Sequence, residues 1–270
     1  HAEADLREAY MLAGFKDVSF MFEPEAAART SQAKGLGLII DIGGGTSDFS
    51  IFEQGKGIVT SHGVRVGGTD FDRALSLANA MPLLGRGQQL KNEMGPGTYT
   101  APNQLFNDLA TWEKIAFLYT PETLRLTQRY AKLGVDSAPF KRLHNVIDME
   151  MGHDIAFAVE AAKIKANKGD TGIDLSFIEP DLRPGLTGTA MQATLADLTD
   201  KISTAAQDTL AQADLKPDAI DTIVYVGGSS LMGTVTGAME AIFPHAAQER
   251  SNAFTAVADG LALAASKRQA

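Results

Sequence analysis

The chain contains no cysteine and a single tryptophan among its 270 residues. Without thiols, disulfides, thiolate catalysis and cysteine-held zinc or iron–sulfur centres are excluded. No apolar run approaches the ~18 residues needed to cross a bilayer, so no membrane-spanning segment is expected and the membrane is not expected as a partner. The first residues show no basic stretch leading into an apolar one and do not read as a signal peptide. Positive charge is scarce as well: 24 Lys and Arg stand against 33 Asp and Glu, a net charge of −9. No basic cluster offsets that balance, which argues against nucleic acid as a partner. The five histidines, His1, His62, His144, His153 and His245, lack metal-ligand spacing.

Several catalytic templates are missing too. The sequence carries no G-x-x-x-x-G-K-[ST], no G-x-G-x-x-G, no G-x-S-x-G and no H-E-x-x-H. A P-loop NTPase, a Rossmann dehydrogenase, an α/β-hydrolase and a zincin are therefore disfavoured. What is present is ordinary globular composition, with 44% hydrophobic and 21% charged residues. This excludes intrinsic disorder, and the length allows one large domain or two small ones. The chain begins at His1, and its opening residues already read as mid-helix. A segment of a longer chain is expected, with His1 a tag remnant.

Hydrophobic periodicity predicts a helix over residues 4–13 and a short one over 25–29 behind Pro24. The run LGLIIDI (Leu36–Ile42) reads as a buried strand that stops at three glycines. SDFSIFE (Ser47–Glu53) alternates, a turn follows at residues 54–57, and a third strand spans 58–66, giving an antiparallel meander. Gly67, Gly68, Thr69 and Asp70 open a helix through about Met81, with Thr69 as cap. Residues from Leu84 to about Ala110 are rich in Gly, Pro, Asn and Gln and read as an irregular insertion. Helices are predicted over 105–119, Pro121–Leu133, 154–166, 189–213, 231–243 and 253–267, and strands over 171–177 and Ile220–Val226. The whole is an α/β chain.

Four segments carry chemistry. In Asp41-Ile-Gly-Gly-Gly-Thr-Ser-Asp48, Gly43, Gly44 and Gly45 let the backbone approach a ligand and leave N–H groups free for phosphate oxygens. Thr46 adds a hydroxyl. Asp41, at the strand's end, suits a hydrated Mg²⁺, which takes one or two carboxylates plus water and phosphate. The plainer alternative is a tight hairpin turn. Gly227, Gly228 and Ser229 follow a second buried strand and open a helix, placing them beside a phosphate or under a base; the alternative is a strand-to-helix turn capped by Ser229 or Ser230. Glu160, Lys163 and Asn167 share one helix face, a stripe that suits a ribose or is simply solvated. Gly67 and Gly68 form the fourth segment, weak by itself.

In their order along the chain, FEPEAAA (22–28), DIGGGTSDFS (41–50), VGGTDFD (66–72), EAAK (160–163) and IVYVGGSS (223–230) resemble the heat-shock protein 70 (DnaK) chaperones. More broadly they resemble the actin, sugar-kinase and heat-shock ATPase superfamily. RVGGTDFDRALSLANAMPLLG (65–85) and the insertion after it are similar to the YegD-like short branch, which lacks the usual peptide-binding domain. The resemblance implies a ribonuclease-H-like α/β lobe with an inserted, largely helical subdomain. Residues 1–35 would be the tail of lobe I. Residues 36–84 and 185–250 would be the inner part of lobe II, 85–184 its outer inserted part, and 251–270 a helix returning toward lobe I.

The same resemblance implies ATP or ADP with Mg²⁺ as ligands, a cytoplasmic location, and client or regulatory proteins as partners. Asp41 matches the metal- and water-organising aspartate, holding Mg²⁺ through water, and Glu23 the glutamate that places the attacking water. Gly43, Gly44, Gly45 and Thr46 match the second phosphate loop, and Gly67 and Gly68 the loop near the phosphates. Glu160 and Lys163 match ribose contacts, Asn167 a polar position near the base, and Gly227, Gly228 and Ser229 the adenosine loop. Ile164 and Leu231 stand where the family has two arginines flanking adenine, and Phe254 where it usually has an aspartate. The first phosphate loop and the catalytic lysine have no counterpart in this chain, so this segment alone is expected not to hydrolyse ATP. Three activities follow: an ATP-hydrolysing chaperone-like protein, a nucleotide-gated interaction module with little turnover, and a small-molecule kinase of the same superfamily.

Overall fold

The computed structural model describes residues 2–250 and 253–266. His1 lies outside them, as do the ends of the expected segments 251–270 and 253–267. Helices α1 (Ala2–Leu12) and α2 (Glu23–Thr30) lead into β1 (Leu36–Ile42), β2 (Ser47–Glu53) and β3 (Gly57–Val64). These three strands pair antiparallel, as their alternation predicted. Helix α3 (Gly68–Leu75) follows. The inserted region holds a short ladder of β4 (Gln89–Lys91) with β5 (Thr98–Thr100), then α4 (Gln104–Leu109), α5 (Pro121–Leu133), α6 (Ser137–Asp148) and α7 (Gly152–Ala166). A two-residue ladder joins β6 (Thr171–Gly172) to β7 (Gly185–Leu186). The chain closes with α8 (Gly188–Gln212), β8 (Ile220–Val226), α9 (Gly233–Ile242), β9 (Ala247–Glu249) and α10 (Ala256–Ser266).

The main sheet has the order β3-β2-β1-β8-β9, with β8 parallel to both β1 and β9. Because successive strand residues face opposite ways, each central strand feeds two cores. Leu38, Ile40 and Ile42 of β1 join Phe49, Ile51, Ile223 and Tyr225 on the face covered by α3, α8 and α9. Ile39, Phe52, Val224 and Val226 look the other way, onto Ala27 and Ala28 of α2 and Ala256 of α10. Short alanine side chains let that helix pair lie close to the sheet. The first core runs without a break into the insertion, through Phe106, Tyr130, Phe140, Leu143 and Val146. The insertion therefore shares the main core rather than building one of its own.

Several sequence expectations are corrected. The helix from Gly67 does not run straight to Met81: it widens into a π turn at Ser76–Ala80 and tightens into a 3₁₀ turn at Met81–Leu84. Pro82 has no N–H to continue an α-helical ladder. The expected helix over 105–119 breaks into α4 and a 3₁₀ stretch, Trp112–Leu118. The strand expected over 171–177 keeps only β6, because Asp174 accepts bonds from the Ser176 N–H and hydroxyl and turns the chain. The 84–110 insertion is not wholly irregular, since it contains the β4–β5 ladder. Helix α6, capped by Asp136 accepting from the Ala138 N–H, and edge strand β9 were not foreseen. The fold itself, a ribonuclease-H-like α/β lobe with an inserted helical part, is as expected.

Candidate nucleotide cleft

The loop 43–46 joins β1 to β2 and stands exposed at one end of the sheet. The Gly43 N–H is used within the loop, donating to the Thr46 carbonyl at 3.0 Å. Those of Gly44, Gly45 and Thr46 have no acceptor among the described residues. A β-carbon on Gly44 or Gly45 would meet nothing within 4 Å. Three successive free donors beside open space are the arrangement that cradles an anion.

Two further loops close on this one. The Gly68 and Thr69 N–H groups donate to the carbonyls of Gly43 and Gly44, at 2.9 and 2.8 Å, and the Thr69 hydroxyl also donates to Gly44. Thr69 is thus not the cap of α3. That position is Gly67, whose N–H donates to the Asp70 carboxylate at 2.9 Å. Gly67 has no alternative: a β-carbon there would sit 2.4 Å from the Gly44 oxygen. Gly227 ends β8 with φ of 78°, and a β-carbon on it would stand 2.5 Å from the Ile42 carbonyl. Ser229 reaches Gly68, where a β-carbon would come within 2.5 Å of its Oγ. The glycine loops read separately from the sequence thus meet at a single sheet edge, outside the strand ends, where open α/β sheets bind ligands.

Gly43, Gly44, Gly68, Gly227, Gly228 and Ser229 line a cleft of about 600 Å³ together with Glu160, Lys163 and Ile164 of α7, Asn167 just after it, and Leu231 and Met232 just before α9. Glu160 is exposed. Lys163 is buried, and its ammonium is engaged by Asp72 of α3. It donates to Oδ2 at 3.0 Å. Oδ1 of the same carboxylate lies 2.8 Å from the ammonium. Burial raises the Asp72 carboxyl above its ordinary value; Lys163 opposes this and Glu160 adds to it. Asn167 is also occupied: its Oδ1 accepts from the Gly233 N–H at 2.6 Å and its Nδ2 donates to the Leu231 carbonyl at 3.2 Å. It does the capping that the alternative reading gave to Ser229 or Ser230, while Ser230 bonds back to the Gly227 carbonyl.

Asp41 ends β1 beside the loop. Its carboxyl is pushed up to about 6, first by burial and then by the charges of Glu23 and Asp48. Glu23, the first residue of α2, is near enough for its charge to act on Asp41. Asp48, hydrogen-bonded by the Thr46 hydroxyl at 3.3 Å, completes the acidic corner. Crowded negative charge beside unused N–H donors fits a divalent cation bound together with phosphate oxygens. No group of three His, Asp or Glu side chains among the described residues is close enough to hold a metal directly. Asp48, read only as the cap of a hairpin turn in the plainer alternative, and Asp72 were given no site role from the sequence, although both lie inside the quoted motifs.

The Hsp70 protein family model matches residues 145–268, and the MreB/Mbl protein model matches residues 3–77. The chaperone protein DnaK of Thermosipho melanesiensis is 26% identical over 96% of this chain and 37% of its own length. That of Emiliania huxleyi is 28% identical over 96% of this chain and 35% of its own length. That of Trichormus variabilis is 27% identical over 96% and 32%. The chain spans about a third of the length of these curated relatives. Among the described residues no helix is long and apolar enough to cross a membrane.

Proposed function

We propose, from the premise that this chain is a relative of the Hsp70 chaperones, that it is part of a nucleotide-binding unit that binds ATP with Mg²⁺ and hydrolyses it. The observation that carries the reading is that Gly44, the first of the three free donors Gly44, Gly45 and Thr46, lines one cleft with Gly227, Gly228 and Ser229. Bound Mg²⁺ supplies charge neutralisation at the phosphates. The chain's own residues do the rest. Free backbone N–H groups hold phosphate oxygens without needing to reorganise, which is where electrostatic catalysis gains most. Asp41 and Glu23 orient water at the phosphate end, with Asp48 beside them. Glu160 accepts from sugar hydroxyls, and Lys163 donates to them while sharing its ammonium with Asp72. Asn167 acts indirectly, by fixing the backbone that carries Leu231.

The lobe assignments stated above for 1–35, 36–84 with 185–250, 85–184 and 251–270 belong to this reading. So do client or regulatory protein partners and a cytoplasmic setting. A second reading, a nucleotide-gated interaction module with little turnover, is favoured by the aliphatic Ile164 and Leu231 lining the cleft. Phosphate release from Mg·ATP by the full-length protein separates them. Turnover that Asp41→Asn abolishes supports hydrolysis; saturable ATP binding without turnover supports the second reading; neither one sinks both.

A further inference from the structure

Phe254 is a large aromatic side chain left 79% exposed. Its backbone is nevertheless pinned. The preceding Ala253 is buried, and its carbonyl accepts from the Gly227 N–H at 2.8 Å; two residues on, Ala256 is buried against the sheet. The ring itself lies along Gly228: a β-carbon on that glycine would stand 3.0 Å from Cε1 and 3.3 Å from Cζ. Phe254 thereby lines the same cleft as Ile164, which is 56% exposed, Leu231 and Met232. The cleft thus has a free N–H donor at Gly44 and an aliphatic and aromatic stretch at Ile164, Leu231, Met232 and Phe254. An exposed apolar patch continuous with an anion cradle calls for a ligand that is charged at one end and flat and apolar at the other.

We infer that Phe254 is the stacking plane for the purine base of a nucleotide whose phosphates lie on the Gly44, Gly45 and Thr46 donors. This rests on the nucleotide reading proposed above and adds to it the residue that holds the base. An aromatic face reads the π surface of a base and not its pattern of donors and acceptors. Phe254 therefore favours purines for their larger ring area and does not separate adenine from guanine. Ile164 and Leu231 add apolar burial without adding such a distinction.

The test is calorimetric titration of the protein with Mg·ADP, Mg·GDP, Mg·CDP and magnesium tripolyphosphate, repeated on Phe254→Ala and Phe254→Trp. The wild type is expected to bind ADP and GDP alike, and CDP and tripolyphosphate more weakly. Phe254→Ala should weaken ADP about tenfold, the scale of one lost base–aromatic stack, and leave tripolyphosphate unchanged. Phe254→Trp should keep ADP affinity, and its added fluorescence should respond to ADP and not to tripolyphosphate. If Phe254→Ala binds ADP as tightly as the wild type, or the wild type binds ADP no better than tripolyphosphate, the base is not held by this ring, while the phosphate site stands. If neither ADP nor tripolyphosphate binds the wild type, the nucleotide reading fails and this inference with it.

Discussion

Lys163 and Asp72, 91 residues apart in sequence, form an ion pair with little water around it: their side chains are 6% and 21% exposed. The pair ties α7, which lines the cleft through Glu160 and Ile164, to α3, whose leading loop packs under Gly44. Breaking a buried pair by removing one partner strands the other charge and costs about 3–5 kcal/mol. Asp72→Ala is therefore expected to lose about 3 kcal/mol in urea unfolding. The double variant Asp72→Leu with Lys163→Met should recover much of that, because apolar replacements leave no uncompensated charge. A Asp72→Ala protein as stable as the wild type would show that the pair is not closed in solution.

Asp41 gives a pH prediction with a definite sign. Its carboxyl ordinarily titrates near 3.8 and is raised to about 6 in the folded chain by burial, with Glu23 and Asp48 adding to it. The folded state therefore holds this proton more tightly than the unfolded state. The cost of ionising Asp41 is absent below pH ~4, grows as pH rises through 6, and is fully present above that; its ceiling is ~3 kcal/mol. Asp41→Asn, which keeps the shape without the charge, should be the more stable protein at pH 7.5 and lose that advantage below pH 4. Thermal unfolding of the two proteins across this range checks it. A variant less stable than the wild type at pH 7.5 would place the charge in a favourable environment instead.

Gly67→Ala tests the support beneath the phosphate loop. Its β-carbon would fall 2.4 Å from the Gly44 oxygen and 2.6 Å from the Gly45 nitrogen, both backbone atoms that cannot swing aside. The loop must shift, so the melting temperature should drop and tripolyphosphate affinity should fall by ~10-fold or more, in keeping with overpacking costs of about 1–3 kcal/mol. Unaltered affinity would mean that the loop carries no anion.

Arginines at Ile164 and Leu231 should tighten ATP binding. A guanidinium over an aromatic base contributes about 0.5–2 kcal/mol, so the double variant is expected to gain between a few-fold and ~30-fold in affinity. Equal or weaker ATP affinity in calorimetry would show that these positions do not face the base.

Much of the fold was legible because some segments carry a complete local signal. LGLIIDI is a continuous apolar run ended by glycines, and its strand bounds were read to the residue. Pro121 and the Thr120 cap that accepts from the Thr123 N–H mark α5 in the same way. By contrast, β9 is Ala-Gln-Glu, and it is a strand only because β8 offers an open edge beside it. Helix α6 begins at Ser137 with a proline, Pro139, inside its first turn and no long apolar run to announce it. The glycine loops of the site could be read because glycine marks the backbone itself. What each polar side chain does there could not, since it depends on partners far away in sequence. Asn167 also caps a turn 66 residues on. Lys163 pairs with Asp72, 91 residues away and on another helix, a partner that helical spacing does not reveal.

The account stands most directly on the free N–H groups of the loop that joins β1 to β2. Gly44→Val adds bulk where a β-carbon meets no protein atom within 4 Å, so it should leave the fold unperturbed while blocking a ligand's approach. Calorimetric titration of Mg·ATP into the wild type and this variant is the decisive measurement. Saturable binding in the wild type, lost in Gly44→Val at an unchanged melting temperature, is the predicted result; wild-type affinity in Gly44→Val would contradict it.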